Sequence, residues 1–184
     1  MNNIDPCEGC ALRLANIKGY DIKGVGNPNF GNMIILPTVD KFAYKYQSFN
    51  FSEMVKKLND IAISSTGVDL LSMCYVTPFI KCKPNKRIEL DEQVTKRCMI
   101  NLKQEFVDYH PSNILLLGNN VMEHFLQYSV NPDKVYIDIK GRRWFNNYSP
   151  GVMLYNPNLT HVFVGGFLKW FNAVISNNFS NYEK

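Results

Sequence analysis

The stretch that decides the reading is Cys74-Tyr75-Val76-Thr77-Pro78-Phe79-Ile80-Lys81-Cys82-Lys83-Pro84, followed by a basic segment and a helix carrying Cys98. It opens as an apolar strand and turns basic at Lys81. Cys82 and Cys98 are separated by fifteen residues and have no partner nearby. The natural partners are at the far N-terminus, in Cys7-Glu8-Gly9-Cys10, a turn that points two sulfurs at one centre. If the four meet, the fold is built around that knot. Five cysteines without a secretory leader argue against a disulfide framework and for a metal or cluster.

Working outward, the chain alternates strands and helices. Met33-Ile34-Ile35-Leu36 reads as a short strand buried on both faces, after the turn Gly24-Val25-Gly26-Asn27-Pro28-Asn29. Phe42, Tyr44, Tyr46, Phe49 and Phe51 follow in a loop, either to stack on bases or to form a satellite core. Ser52 caps a helix bearing Met54, Leu58 and Ile61 that ends at Thr66-Gly67. The second strand spans 72–77. Asp91 caps a helix with Val94, Cys98, Leu102 and Phe106 in register, so Cys98 falls on its buried face.

Asn113 to Gly118 is the clearest strand and turn, followed by a helix with Val121, Met122, Phe125 and Leu126. Residues 135–139 alternate as an edge strand. Gly141-Arg142-Arg143-Trp144 reads as a basic turn, Ser149-Pro150-Gly151 as another turn, and 152–155 as the last core strand. A closing helix carries Phe167, Trp170, Phe171, Val174 and Ile175, and the polar tail from 178 to 184 is expected to fray. The expectation is one α/β domain over residues 1–184, an open, mostly parallel four-stranded sheet with helices on both faces. Ligands of such sheets bind outside the carboxyl ends of the strands, which makes Pro37-Thr38-Val39-Asp40 a candidate site turn.

A net charge of +4 permits a nucleic-acid partner without requiring one. Lys81, Lys83, Lys86 and Arg87 cluster beyond a strand end as candidate phosphate contacts, with Arg142 and Arg143 further on. No apolar run reaches membrane-spanning length and no leader is present, so a cytoplasmic protein is expected. The abundance of Asn, Lys, Ile and Tyr fits AT-rich coding, as in a phage or a low-GC bacterium. No P-loop, H-E-x-x-H or G-x-S-x-G occurs.

With its four cysteines spaced this way and the strand leading into Lys-Cys-Lys-Pro, the chain resembles the iron–sulfur branch of the uracil-DNA glycosylase superfamily. The Gly24-Val25-Gly26-Asn27-Pro28 lead-in, Pro111 to Gly118 as P-x-x-I-x-x-L-G, and Asn156-Pro157-Asn158 in place of a His-Pro-Ser-like motif extend the likeness over nearly the whole chain. The resemblance implies a [4Fe–4S] cluster on Cys7, Cys10, Cys82 and Cys98, with zinc as the alternative metal. It implies Phe49 stacking on a flipped base, Asn156 contacting that base, Asn158 and the basic residues on DNA, and a role in DNA repair or replication.

The departures are equally specific. The family's Gly-Glu-Ala-Pro-Gly motif is replaced by Ile34-Ile35-Leu36-Pro37-Thr38, so its acidic residue becomes Ile35 unless Asp40 supplies a carboxylate. The family's base-reading Asn becomes Pro78, which offers neither an amide side chain nor an N–H. N-glycosidic cleavage needs a group to hold water and a donor for the developing base anion. Two functions follow as expectations: a base-excising hydrolase with a rebuilt pocket (Asp40 for water, Asn156 for the base), or a catalytically silent DNA-binding accessory that works with a replication or repair protein.

Overall fold

The computed structural model describes residues 5–16, 21–85, 91–126 and 131–182. Six strands form one sheet among these residues: β1 (Val25–Gly26), β2 (Asn32–Thr38), β3 (Tyr75–Ile80), β4 (Asn113–Leu117), β5 (Val135–Ile137) and β6 (Arg143–Asn147). Their order is β1-β3-β2-β4-β6-β5. The inner pairs are parallel, and β1 and β5 add antiparallel edges. The expected α/β class holds, and the sheet is six-stranded and mixed where an open, mostly parallel four-stranded sheet was expected.

The helices are α1 (Ala11–Ala15), α2 (Lys41–Tyr46), α3 (Glu53–Thr66), α4 (Leu70–Met73), α5 (Glu92–Tyr109), α6 (Asn119–Leu126), α7 (Val152–Tyr155) and α8 (Pro157–Ser176). On one face of the sheet Val55, Leu58 and Ala62 of α3 and Phe163, Phe167, Trp170 and Phe171 of α8 share a core with Ile34, Leu36, Val76 and Leu115. On the other, Leu12, Val94, Cys98, Leu102, Val121 and Met122 pack with Met33, Ile35, Ile114 and Leu116. Helices on both faces explain why β2 and β4 are unbroken apolar runs rather than alternating ones. No helix among the described residues is long and apolar enough to cross a membrane.

Local chemistry sets the helix ends as the sequence suggests. The Ser52 hydroxyl accepts from Val55 N–H at 3.3 Å and starts α3, and Gly67 closes it at φ 73°. The Asp91 carboxylate accepts from Val94 N–H at 2.9 Å and starts α5. Pro78 is tolerated in β3 because β1 pairs only with Tyr75 and Val76, so the missing N–H falls past the end of the edge strand.

Three expectations are corrected. The fourth parallel strand is β6, not 152–155, which forms the short helix α7 with Leu154 and Tyr155 exposed. An apolar tetrapeptide carries no period, while β6 hides its strand character behind two asparagines. Those are buried because they have partners: Asn147 Nδ2 donates to Phe163 O at 2.8 Å, and Asn146 Oδ1 accepts from Asn131 N–H at 2.6 Å. The aromatic run 42–51 is not a loop but α2 and a 3₁₀ turn (Phe49–Phe51). The tail is held as far as Tyr182, which, with Phe179, packs on Phe145 at ring distances of 4.8 and 5.4 Å.

Candidate nucleic-acid interface and cysteine cluster

The chain leaves β2 through α3 toward β3 and leaves β4 through α6 toward β5 and β6, on opposite sides, so the sheet's switch point lies between the carboxyl ends of β2 and β4. Pro37, Gly118 and Ser149 meet there. Gly118 has φ 101°, and a Cβ on it would stand 3.1 Å from Pro37 Cγ and 3.3 Å from Ser149 Cβ. The backbone of β4 therefore turns against the ends of both neighbours, and only glycine permits it.

Asp40 sits just past β2, but its carboxylate is occupied. Oδ1 accepts from Phe42 and Ala43 N–H, each at 3.0 Å, and Oδ2 accepts from the Ser52 hydroxyl at 2.6 Å. It is the N-cap that starts α2 and ties it to α3. Asn156 occupies the N-cap position of α8 without a capping side-chain bond, and it is exposed together with Asn158.

Beside this turn, α2 and the 3₁₀ turn present rings with cations over them. The Lys41 ammonium lies 4.7 Å from the Phe42 ring centre, Lys45 5.0 Å from Tyr46, and Lys83 5.4 Å from Tyr44. Tyr46 and Phe51 lie 4.6 Å apart and are each about half exposed. Lys41 and Lys45 escaped the sequence reading. Their i, i+4 spacing becomes a signal only once 41–46 is known to be helical.

Several sequence-predicted contacts fall elsewhere. Phe49 is wholly enclosed in the α3–α8 core, so its ring offers no face to a base. Lys81 is also fully buried and is not a phosphate contact. Its Nζ pairs with Glu105 Oε1 at 2.6 Å and donates to Thr77 Oγ1 at 2.5 Å. Thr77 in turn donates to Glu105 Oε2 at 2.8 Å. Burial pulls the Lys81 pKa below its ordinary value, against the opposing pull of Glu105. Glu105 was also missed, although the stripe Val94, Cys98, Leu102 places residue 105 on the buried face of α5.

Arg142 and Arg143 stand at the amino end of β6, the opposite end of the sheet from Asn156. Arg142 pairs with Asp138 at 2.6 Å, and the Arg143 guanidinium lies 5.2 Å from the Phe179 ring centre. Of the basic loop, Lys83 is half-buried; Lys86 and Arg87 lie outside the described residues.

The four cysteines of the expected knot lie close enough to one another to interact electrostatically. Cys7, Cys10, Cys82 and Cys98 are all buried, whereas Cys74 lies in the core on the other face of the sheet. The N-terminal turn is held to α5 by the Arg97 guanidinium, which donates to Pro6 O at 3.3 Å and also to Glu8 O. Ile22 N–H donates to Lys81 O at 2.9 Å, and Asn16 Nδ2 to Lys83 O at 3.1 Å, which fixes the Cys82 loop to the same segment.

One sulfur receives a side-chain N–H donor, Cys7 from Asn101 Nδ2 at 3.4 Å, while the Asp21 backbone beside Cys82 and the Lys81 backbone beside Cys98 favour those thiolates. Burial nevertheless dominates. It raises the Cys7 thiol and pushes Cys82 up to about 12 and Cys98 up to about 11, with the neighbouring cysteines adding to the rise. Thiolates here need a positive charge among them. Among the described residues no three His, Cys, Asp or Glu side chains are placed as ligands of a single metal ion. As a donor type, four buried sulfurs are what a sulfur-ligated cluster takes.

No protein-family model matches this sequence, and a comparison with curated proteins finds no match.

Proposed function

We propose that this chain is a DNA-binding accessory with a uracil-DNA-glycosylase-like architecture, in which a strand crosses the carboxyl ends of β2, β4 and β6. The observation that carries the proposal is the set of rings and cations on α2 beside the switch point. Lys41, Lys45 and Lys83 supply charge for phosphates, while Tyr46 and Phe51 supply exposed aromatic surface on which bases can stack. Leu154 and Tyr155, exposed on α7 next to Asn156, extend this surface toward the end of β6.

Cys7, Cys10, Cys82 and Cys98 would hold a [4Fe–4S] cluster. Its contribution is to neutralise the four thiolates and fasten the N-terminus and the Lys83 loop to α5. The chain's own residues do the rest: α5 supplies Asn101 and Arg97, and the segment around Ile22 braces the loop. The accessory reading is preferred over base excision because both Asp40 oxygens already accept hydrogen bonds inside the chain, which leaves the carboxylate tied up as a cap. Base excision keeps one observation in its favour. Asn156 is exposed and uncommitted as a cap, and its amide can donate to a base oxygen.

The test is made on anaerobically purified protein with single- and double-stranded oligonucleotides containing uracil, hydroxymethyluracil or hypoxanthine. Abasic-site cleavage and binding are read in parallel. Salt-sensitive binding without cleavage, weakened by Lys41→Gln and Lys45→Gln, is the expected result. Cleavage that disappears in Asn156→Ala would establish an enzyme. Absence of binding to every oligonucleotide would remove the DNA reading altogether.

A further inference from the structure

An unexplained feature lies on another side of the molecule. A groove of about 1070 Å³ opens between α5, α6 and the β5–β6 hairpin. Trp144 and Tyr136 of the hairpin contribute to its lining, with Phe106 of α5 and Phe125 of α6 on either side. Val107 and Ile137, each 62% exposed, add apolar surface in the same groove.

Its charges do not cancel. Glu92 pairs with Lys96 at 2.8 Å, and Asp138 with Arg142 at 2.6 Å. His124 and the phenol of Tyr136 are the remaining titratable groups besides Lys103, from α5, and Lys140, from the hairpin turn. Neither lysine has a carboxylate partner among the described residues. The groove is thus apolar within and positive on two sides, which calls for a ligand that is apolar and acidic at once.

The rings narrow the choice further. Phe106 and Trp144 stack on each other at 5.6 Å and 14°, the Arg142 guanidinium lies 5.2 and 5.3 Å from their centres, and Phe125 leans on Trp144 at 5.6 Å. These ring faces are already used. A nucleic-acid base finds little flat surface to stack on here, in contrast to the Tyr46–Phe51 pair, whereas aliphatic side chains can fill the space between ring edges.

We infer that this groove docks an acidic amphipathic helix of a partner protein. Apolar residues at i, i+3 or i+4, and i+7 enter between Phe106, Phe125 and Ile137, and carboxylates on its flanks meet Lys103 and Lys140. The inference does not depend on the DNA-binding reading, since the two surfaces share no residue.

A random peptide library, long enough for three helical turns, is selected on the intact protein and counter-selected on the Lys103→Glu/Lys140→Glu variant. The enriched peptides should be acidic with the i, i+3/i+4, i+7 apolar spacing, and should perturb Trp144 fluorescence. The double charge reversal should weaken them about tenfold, as expected for two exposed ion pairs, with no change in the unfolding midpoint. Ile137→Asp should weaken them independently of charge. The inference is overturned if no peptide is enriched, if the enriched peptides are not acidic, or if they bind the variants equally well. It is also overturned if a single-stranded oligonucleotide occupies the groove and loses affinity in Lys103→Glu, or if the chain self-associates through this face in a way that Ile137→Asp abolishes.

Discussion

Lys81 shows how far a residue's surroundings can reverse its reading. By sequence it belongs to a basic cluster; in the fold its ammonium is sealed between Thr77 and Glu105 at the end of β3. A buried charge without its partner is far more costly than the pair is stabilising. Lys81→Met should therefore lower stability by about 3–5 kcal/mol in urea unfolding, and adding Glu105→Leu should restore most of it. If the single variant unfolds like wild type, the pair is not closed in solution. Asp138 makes a pH prediction at the same scale. Its burial works against ionisation, but hydrogen bonds from Trp144 Nε1, Arg142 Nε and two backbone N–H groups prevail and hold the carboxyl at about 2, below its ordinary 3.8. The folded pKa is the lower one, so the stabilisation is complete above the unfolded value and is lost as pH falls from there toward about 2. Trp144 fluorescence during acid titration should report that loss, and Asp138→Asn should flatten it in this range.

At the scale of elements, caps were legible, and of the two edge strands β5 was legible and β1 was not. Ser52, Asp91 and Gly67 act where the sequence places them because a cap depends on a few neighbouring residues. Asp40 is the instructive case: a candidate water-holding carboxylate that starts α2 instead. Asp40→Ala should cost about 1–2 kcal/mol, the usual loss for a strong N-cap, and should speed hydrogen exchange in 41–46. Asp40→Asn should keep most of that stability and should leave oligonucleotide binding within a small factor of wild type. A large loss of any cleavage activity in Asp40→Asn would return a catalytic role to the carboxylate. The edge strand β1 and the strand β6 depend on partners distant in sequence. Asn146 and Asn147 look like turn residues until Asn131 and Phe163 supply their hydrogen bonds.

For the molecule as a whole, the proposed cluster and the proposed DNA surface are linked through the Cys82–Lys83 loop. Cys82→Ser or Cys98→Ser should abolish the visible absorption of the anaerobic protein, lower its unfolding midpoint and weaken single-strand binding together; a folded variant with unchanged binding would separate the two. With Lys41, Lys45 and Lys83 as phosphate contacts, the log–log salt dependence of binding should have a slope of about −2 for single-stranded DNA and approach zero when the three are changed to glutamine. What the sequence by itself determined is what short-range chemistry encodes: the α/β class, the buried strands β2 and β4, the caps, and the register that turns Cys98 inward on α5. Periodicity and capping need only a few adjacent residues to be read. Tertiary structure alone decided which charges are free and which are sealed. A lysine's fate depends on a carboxylate twenty-four positions away, and a ring's availability on which helix covers it. It also brought the N-terminal turn, the Lys83 loop and α5 together, because the antiparallel run of residue 22 beside Lys81 folds the start of the chain back onto the end of β3.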